Sequence, residues 1–478
     1  MTSTHRSDLG PGPDPDPDPD LGPGHAAGPG PGGHPLPPIE APPEYALPPL
    51  VDTVLSNGLR VVAVHAPSVP MVELRLQVPL PAAPGREAVA QVMAEALPRA
   101  SLQYSGEEIQ RLLGHAGASL SAAGGGNRLS LSASTPAASL PRVLEVLAAS
   151  LGAPRYEEEH CRPAARTRAE HATAARSQPT AIAQEALRRL RHGRGVPPAV
   201  PSDADFAAVT AGQVARLHAE SVRPAGAFLV AVGDIDPEHA VRVLDRALEG
   251  WGPASAEAGT AEPVTPCRTT AVHAAPPAPP SVELVERPGA VQSQILLAAP
   301  SLDRSDPRFP ALSLGNCALG GYFSSRLVTR LREQRGLAYR VDSYLDELLD
   351  ENVAYLDLDT STATTGAACR ELYAELCRLA DDPPSVREID AARQFFIGMQ
   401  TMSLASQTAL AGALAGLLGY GLDPQWLTAF SGRILDVGRA EVAAAVQEFF
   451  DPARFTGVVV GNRDGLAGQS FGPLVESR

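Results

Sequence analysis

Two hydrophobic periods run through this chain. Val72, Leu74, Leu76 and Val78 alternate with Glu73, Arg75 and Gln77, which is the period-2 pattern of a strand with one covered face. "AVAQVMAEALPRA" (88–100) then reads as a helix, and "GEEIQRLLGHAGASLSAAGGGNRLSLSAS" (106–134) as a helix, a glycine-rich turn and another alternating strand. Further on, "QSQILLAAP" (292–300) predicts a strand. Phe323, Leu327 and Leu331 recur at i, i+4 and i+8, so "FSSRLVTRLREQ" predicts an amphipathic helix stopped by Gly336. "NVAYLDLDTST" is a strand, with Leu356 and Leu358 alternating with Asp357 and Asp359. Strands and helices mix without regular βαβ alternation. The expected class is therefore α+β, a mostly antiparallel sheet covered on one face by helices.

The pattern occurs twice. "SVRPAGAFLVAVGDIDPEHA" (221–240) is a strand ending at Val232-Gly233-Asp234, followed by a helix; "FFDPARFTGVVVGNRDG" (449–465) ends a strand at Val460-Gly461-Asn462. That spacing of 228 places the opening "SNGLRVVAV" near "VERPGAVQS". Residues 1–44 are Pro, Gly and Asp with little to bury, an acidic tail biased to extended conformations. The Pro/Ala-rich stretch 253–281 reads as a linker. Two homologous domains, 45–252 and 282–478, are expected on either side of it, as suits a chain of 478 residues.

Composition narrows the function. A net charge of -15 argues against nucleic acid and anionic membrane surfaces, which need a basic face. No run of about 18 apolar residues is present, and the N-terminus has neither a basic nor an apolar signal region, so a cytoplasmic protein is expected. All 39 basic residues are Arg, which with the abundant Ala, Gly and Pro suggests a GC-rich genome. Cys161, Cys267, Cys317, Cys369 and Cys377 are odd in number and scattered, so free thiols are expected rather than disulfides or a cysteine zinc site.

The "LSNGLRVV" opening, the linker-separated repeat and above all "LGGYFSSRLVTRLREQRGLAY" (319–339) resemble the insulinase/pitrilysin-type metallopeptidases, which include mitochondrial processing peptidase. The resemblance covers about residues 50–465. It implies half of a four-domain clamshell that cleaves peptides with zinc held by an inverted H-x-x-E-H motif on the first-half helix. Two imidazoles at i and i+4 share a helix face and bind one metal, and the Glu at i+3 deprotonates its water. Here the register holds Gln91, Ala94 and Glu95. A neutral amide is a poor zinc ligand, and Ala94 accepts no proton. The family's third ligand falls near Glu170, beside His171. No catalytic residue and no metal site are therefore expected in this chain.

The second-half motif is whole. The resemblance implies that an Arg and a Tyr seven residues apart, here Arg332 and Tyr339, reach into the chamber and hold the substrate backbone near the scissile carbonyl. An Arg presents a charged fork, and a Tyr hydroxyl stabilises a developing oxyanion. The bland alternative is a solvated helix residue and the start of a half-buried strand. Arg326 is expected to stabilise the helix or the turn before it. "GQSFG" (468–472) lacks the strand and helix that a nucleophile elbow needs, "YEEEHC" (156–161) suits a solvated helix start, and "AGGGN" (123–127) leads into a strand, so it is a turn. The expected function is a non-catalytic, substrate-holding subunit paired with a related subunit that carries the intact motif and the zinc. A structural clamshell without proteolysis and an active peptidase with atypical ligands are the alternatives.

Overall fold

The structure is a computed structural model and describes residues 46–81, 85–125, 127–193, 198–252, 282–347 and 351–472. The tail 1–44 and the linker 253–281 lie outside the described residues. All the described residues belong to one compact unit, Glu44–Arg478.

Strands β1 (Leu50–Val54), β2 (Arg60–His65) and β3 (Met71–Pro79) lead to helix α1 (Arg86–Ala96). Helix α2 (Gly106–Ala116) and the hairpin of β4 (Ser119–Gly125) and β5 (Arg128–Pro136) follow. Five helices come next: α3 (Leu140–Gly152), α4 (Glu158–Arg176), α5 (Pro179–His192), α6 (Asp203–Ala207) and α7 (Ala211–Ser221). Strand β6 (Phe228–Gly233) and helix α8 (Pro237–Leu248) close the first half. The second half opens with β7 (Val282–Glu286), β8 (Gln292–Pro300) and α9 (Phe309–Asn316), and two π-helical segments, Cys317–Gly321 and Val328–Gln334, come before β9 (Ala338–Glu347) and β10 (Asn352–Ser361). Helices α10 (Thr365–Asp381), α11 (Val386–Ser403), α12 (Gln407–Gly419), α13 (Trp426–Asp436) and α14 (Arg439–Phe449) precede β11 (Thr456–Gly461) and α15 (Arg463–Leu466).

The repeat is visible in the strand order. The first sheet runs β1-β2-β6-β3-β5-β4 and the second β7-β11-β8-β10-β9. In each, the opening strand lies parallel to the closing strand (β2 with β6, β7 with β11), and the other pairs are antiparallel. Among the described strands, only β1 has no counterpart. The closing strands keep the spacing of 228, from 228 to 456, but β2 begins at 60 and β7 at 282, a spacing of 222. The opening strand therefore aligns earlier than a fixed offset suggests, because the insertions between the halves are uneven.

The predicted strands at 72–78, 292–300 and 352–361 are present, and the helix over 88–100 is α1 with a short 3-10 turn behind it. Two expectations change. The "glycine-rich turn" is mostly strand β4, since Gly124 lies flat under α1, where a Cβ would strike the Ala90 carbonyl oxygen. The helix expected from Phe323 begins only at Arg326, leaving Phe323 in the turn before it. Gly336 does end it, at φ +59°.

Each sheet buries one face under its own helices, as expected: Val61, Ala63, Leu74, Leu76, Leu229 and Ala231 belong to the first-half core. The opposite face receives a helix from the other half. α12 lies along β3 and β6, where Val62, Val64, Val230 and Val232 join the second-half core, and Gln407 at its start donates to the Val69 carbonyl (2.9 Å). In return α5 lies along β8 and β11, where Ala183 and Leu187 pack on Leu296, Ala298, Val458 and Val460. The end of α5 is pinned by Arg191, whose guanidinium grips Glu351 of the second half at 2.7 and 3.0 Å.

One buried imidazole tunes the first half. His218 on α7 bonds the Leu151 carbonyl through Nε2 (3.0 Å), so that nitrogen carries the proton, and Nδ1 accepts from the Tyr156 hydroxyl (2.9 Å). Burial pushes its pKa below the ordinary value.

Two outcomes are expected. Leu187→Ala, which empties the α5 contact, costs about 2–5 kcal/mol and lowers a single unfolding transition followed by circular dichroism and by limited proteolysis of both halves; two separate transitions, only one of them moved, contradict the exchange. The lowered His218 pKa means that the unfolded chain binds more protons. Its contribution is thus complete above about pH 6.5 and is lost as pH falls below that. The drop in melting temperature from pH 7 to pH 5 should be smaller in His218→Gln than in the wild type.

Candidate functional site

Helix α1 carries the three positions of the first-half motif. Ala94 is buried, with its Cβ close to Gly124 of β4. Both ends of the Gln91 amide are used: its nitrogen donates to Glu87 (2.8 Å), and its oxygen accepts from Arg168 Nη2 (3.0 Å). Glu95 is held by Arg99 one turn on, at 2.7 Å. The third-ligand expectation needs correction. Cys161, Ala164, Ala165 and Ala172 define the buried stripe of α4, Glu170 and His171 are exposed off that stripe, and the residue facing α1 is Arg168. A cation therefore faces the motif positions on α1, and a guanidinium repels a dication. Two engaged polar side chains, a methyl and an arginine do not fit a tetrahedral zinc site, which takes three protein ligands. Among the described residues, Glu157, Glu159 and His160 do bring ligand atoms within 4.8 Å of one another. They sit about two turns from Arg168 along α4, at an acidic helix start, and Glu157 is already bound by Arg155 (2.6 Å).

The second-half motif is assembled in the opposite way. Leu327 and Leu331 are fully buried and fix the π-helical segment Val328–Gln334, so that Arg332 points outward. Its guanidinium carbon lies 4.7 Å from the Phe323 ring centre and 6.0 Å from that of Tyr339. The aromatic faces hold the cation without neutralising it. Its nearest carboxylate, Glu333, is 3.6 Å away on the neighbouring residue. Tyr339 starts β9, as the bland alternative had it, but it is 82% exposed rather than half-buried, and Phe323 is 71% exposed. Neither the Arg332 fork nor the Tyr339 hydroxyl has a hydrogen-bond partner among the described residues. The pair is thus close, oriented and free to bind.

Arg326 supports this arrangement. It bonds both oxygens of Glu388 (2.6 and 2.9 Å) and the Asp382 carbonyl (2.7 Å), tying the turn to the start of α11. Glu388 is also the capping-box residue for Ser385. The Arg326 hydrogen bond, helped by those to Ser385, holds its pKa at about 2. The "GQSFG" stretch is structural, because Gln469 accepts from the Gly366 amide (2.8 Å) and donates to the Thr362 carbonyl (2.7 Å), sealing the start of α10. Arg168 and Phe323 are the residues that sequence reasoning missed. The apolar stripe of α4 carried the signal for the first; the helix period misassigned the second to the core.

Residues 208–396 match the family model described as "Peptidase M16 inactive domain". The chain is 36% identical over 144 residues to an uncharacterized zinc protease of Streptomyces coelicolor, covering 30% of each chain. It is 27% identical over 251 residues to one of Mycobacterium bovis, covering 51% of this chain and 49% of the relative. The matched stretches thus span about a third to a half of these relatives. Among solved structures, a peptidase M16 inactive domain from Pseudomonas fluorescens superposes with a TM-score of 0.74 at 22% identity, covering 87% of this chain and 98% of that one. A protease from Helicobacter pylori also gives 0.74, at 19% identity, over 87% and 100%. The periplasmic protease PqqL from Escherichia coli gives 0.70 at 16% identity, over 90% of this chain and 48% of PqqL. At these identities the likeness to solved structures is one of fold, that of half a clamshell. The chain is thus similar to the M16 metallopeptidases of the insulinase/pitrilysin type, and the positions that match their zinc motif are degenerate in it.

Proposed function

We propose that this chain is the non-catalytic, substrate-holding subunit of a two-chain zinc metallopeptidase acting on extended peptides. The observation that carries the reading is the contrast between the halves. Gln91 and Glu95 at the motif positions are engaged by neighbouring side chains, whereas Tyr339 is exposed, Arg332 is partly exposed, and neither makes a hydrogen bond among the described residues. In this reading the zinc and the general base belong to a related partner with an intact H-x-x-E-H helix. Arg332 donates to a peptide carbonyl, and the Tyr339 hydroxyl donates to the oxygen that becomes negative during attack. Both lie beside or on β9, an edge strand of the second sheet, and edge strands are where extended peptides add. No single described helix is long and apolar enough to cross a membrane.

The chain purified alone should contain no stoichiometric zinc and should not hydrolyse an unstructured peptide. About one zinc per chain by elemental analysis, with hydrolysis abolished by Glu95→Gln, would falsify this and favour a peptidase with atypical ligands.

In complex with a zinc-bearing relative, Arg332→Ala and Tyr339→Phe should each reduce peptide turnover by roughly 100- to 1000-fold, the effect of losing one oxyanion donor. Gel filtration should show the complex intact in both variants. Unchanged turnover in both would leave a structural clamshell module as the better account.

A further inference from the structure

The arginines that flank Arg332 in the chain are held by carboxylates. Arg326 donates to Glu388 (2.6 Å), Arg330 and Arg335 to Glu371 (2.6 and 3.3 Å), and Arg340 to Asp359 (2.7 Å). Arg332 is the exception. It makes no hydrogen bond among the described residues, and its nearest carboxylate is the exposed Glu333 beside it in sequence. What lies against its guanidinium is the Phe323 ring, with its centre 4.7 Å away; the Tyr339 ring, at 6.0 Å, is at the outer limit of such a contact. Phe323 is 71% exposed, so burial does not account for its place. Its backbone is anchored on both sides instead. On the near side, Asn316 donates to the Ser343 carbonyl (3.1 Å) and accepts from the Ser343 hydroxyl (2.5 Å). Gly320 lies so close to β9 that a Cβ there would come within 2.7 Å of the Ser343 Cβ, and the Tyr322 ring stacks on Phe395 with centres 5.3 Å apart. On the far side, Arg326 is tied to Glu388 and to the Asp382 carbonyl.

We propose that Phe323 is a positioning residue, whose ring face sets the direction of the Arg332 fork and leaves the Tyr339 hydroxyl to act on its own. The chemistry of the contact is what makes this useful. A carboxylate in the same place would take up to two of the five guanidinium donors and cancel the charge. A ring attracts the cation through its negative face, and the N–H groups at the guanidinium edge stay available. An aromatic rest therefore fixes a direction without occupying the fork, which an ion pair of the kind made by Arg326, Arg330, Arg335 and Arg340 does not do. The exposure of Phe323 and the anchors around it fit a ring kept at the surface for its face rather than for its area. Tyr339 belongs to a different element, β9, and its ring lies farther off. Only the consequence for turnover rests on the substrate-holding reading; the placement of the fork does not.

The test uses the full chain labelled with nitrogen-15 arginine, in which the Arg332 Nε–H resonance is assigned by its loss in Arg332→Lys. A proton over a ring face is shifted upfield, so this resonance should lie upfield of the other arginines in the wild type. Phe323→Leu, which keeps an apolar side chain but removes the ring face, should return it to the common range. Phe323→Tyr should keep the shift, and Tyr339→Leu should keep most of it. All these variants should melt at the wild-type temperature, because both rings are exposed. With a zinc-bearing relative, Phe323→Leu should lower peptide turnover about two- to fivefold, as loss of an exposed cation–π contact would, and Phe323→Tyr should restore it. No upfield shift in the wild type, or one that survives Phe323→Leu, overturns the proposal. A lowered melting temperature in Phe323→Leu would make the ring a packing residue and overturn it as well. If Phe323→Leu moves the resonance and turnover stays unchanged while Arg332→Ala abolishes it, the positioning role in turnover is overturned. If Arg332→Ala also leaves turnover unchanged, the holding reading fails and the placement of the fork by Phe323 stands.

Discussion

The reciprocal exchange of α5 and α12 is the contact on which the rest of the molecule depends. The central strands of both sheets are apolar on both faces: Val62, Val64, Val230 and Val232 in the first, Leu296, Ala298, Val458 and Val460 in the second. Neither half covers its second face alone, and apolar surface left in water costs roughly 25 cal/mol per Å². Each half therefore lends the other one helix. The neighbouring strands are polar on that face: Ser130, Ser132 and Ser134 pair with Gln77, Arg75 and Glu73, and Asp357 and Asp359 are bound by Arg340. This fixes the geometry of both halves together, including the two motif-bearing regions that diverge between them.

That divergence is chemical rather than architectural. In the first half, the face between α1 and α4 carries a hydrogen-bond chain, Glu87–Gln91–Arg168, with Glu95 drawn away to Arg99. Arg168 brings positive charge beside the motif positions, which disfavours a dication there. In the second half, two buried leucines and the Arg326–Glu388 clamp hold a cation between two aromatic rings at the surface. Buried polar groups tend to be satisfied in native structures. Tyr339 by contrast is exposed, Arg332 is partly exposed, and neither has a hydrogen-bond partner among the described residues.

Much of this was legible in the chain. Period-2 alternation located β3 and β10 because each has one face under its own helices, and the closing strands revealed the repeat because "AVG" and "VVG" end both sheets at the same place. The Arg332–Tyr339 spacing and the empty motif at 91–95 were likewise readable, since both depend on local register. What failed depended on tertiary contacts. The exchange of α5 and α12 leaves no period of its own, as their apolar faces look like those of any core helix. Phe323 fits the helical stripe by spacing, yet the backbone turns before it and sends the ring to Arg332. The family's spacing pointed near Glu170, but Glu170 is exposed and Arg168 is the residue that reaches Gln91.

The central claim is that this chain contacts the peptide at the bond being cut while another chain supplies the metal. The most direct measurement places a photo-crosslinking benzophenone side chain at position 339 and assembles the chain with a zinc-bearing relative whose general base has been replaced by Gln. The complex is irradiated with bound peptide, and the crosslinked residue is identified by mass spectrometry. The account predicts crosslinks within one or two residues of the bond that the active complex cleaves. Crosslinks only to the partner, or to peptide positions far from that bond, would contradict it.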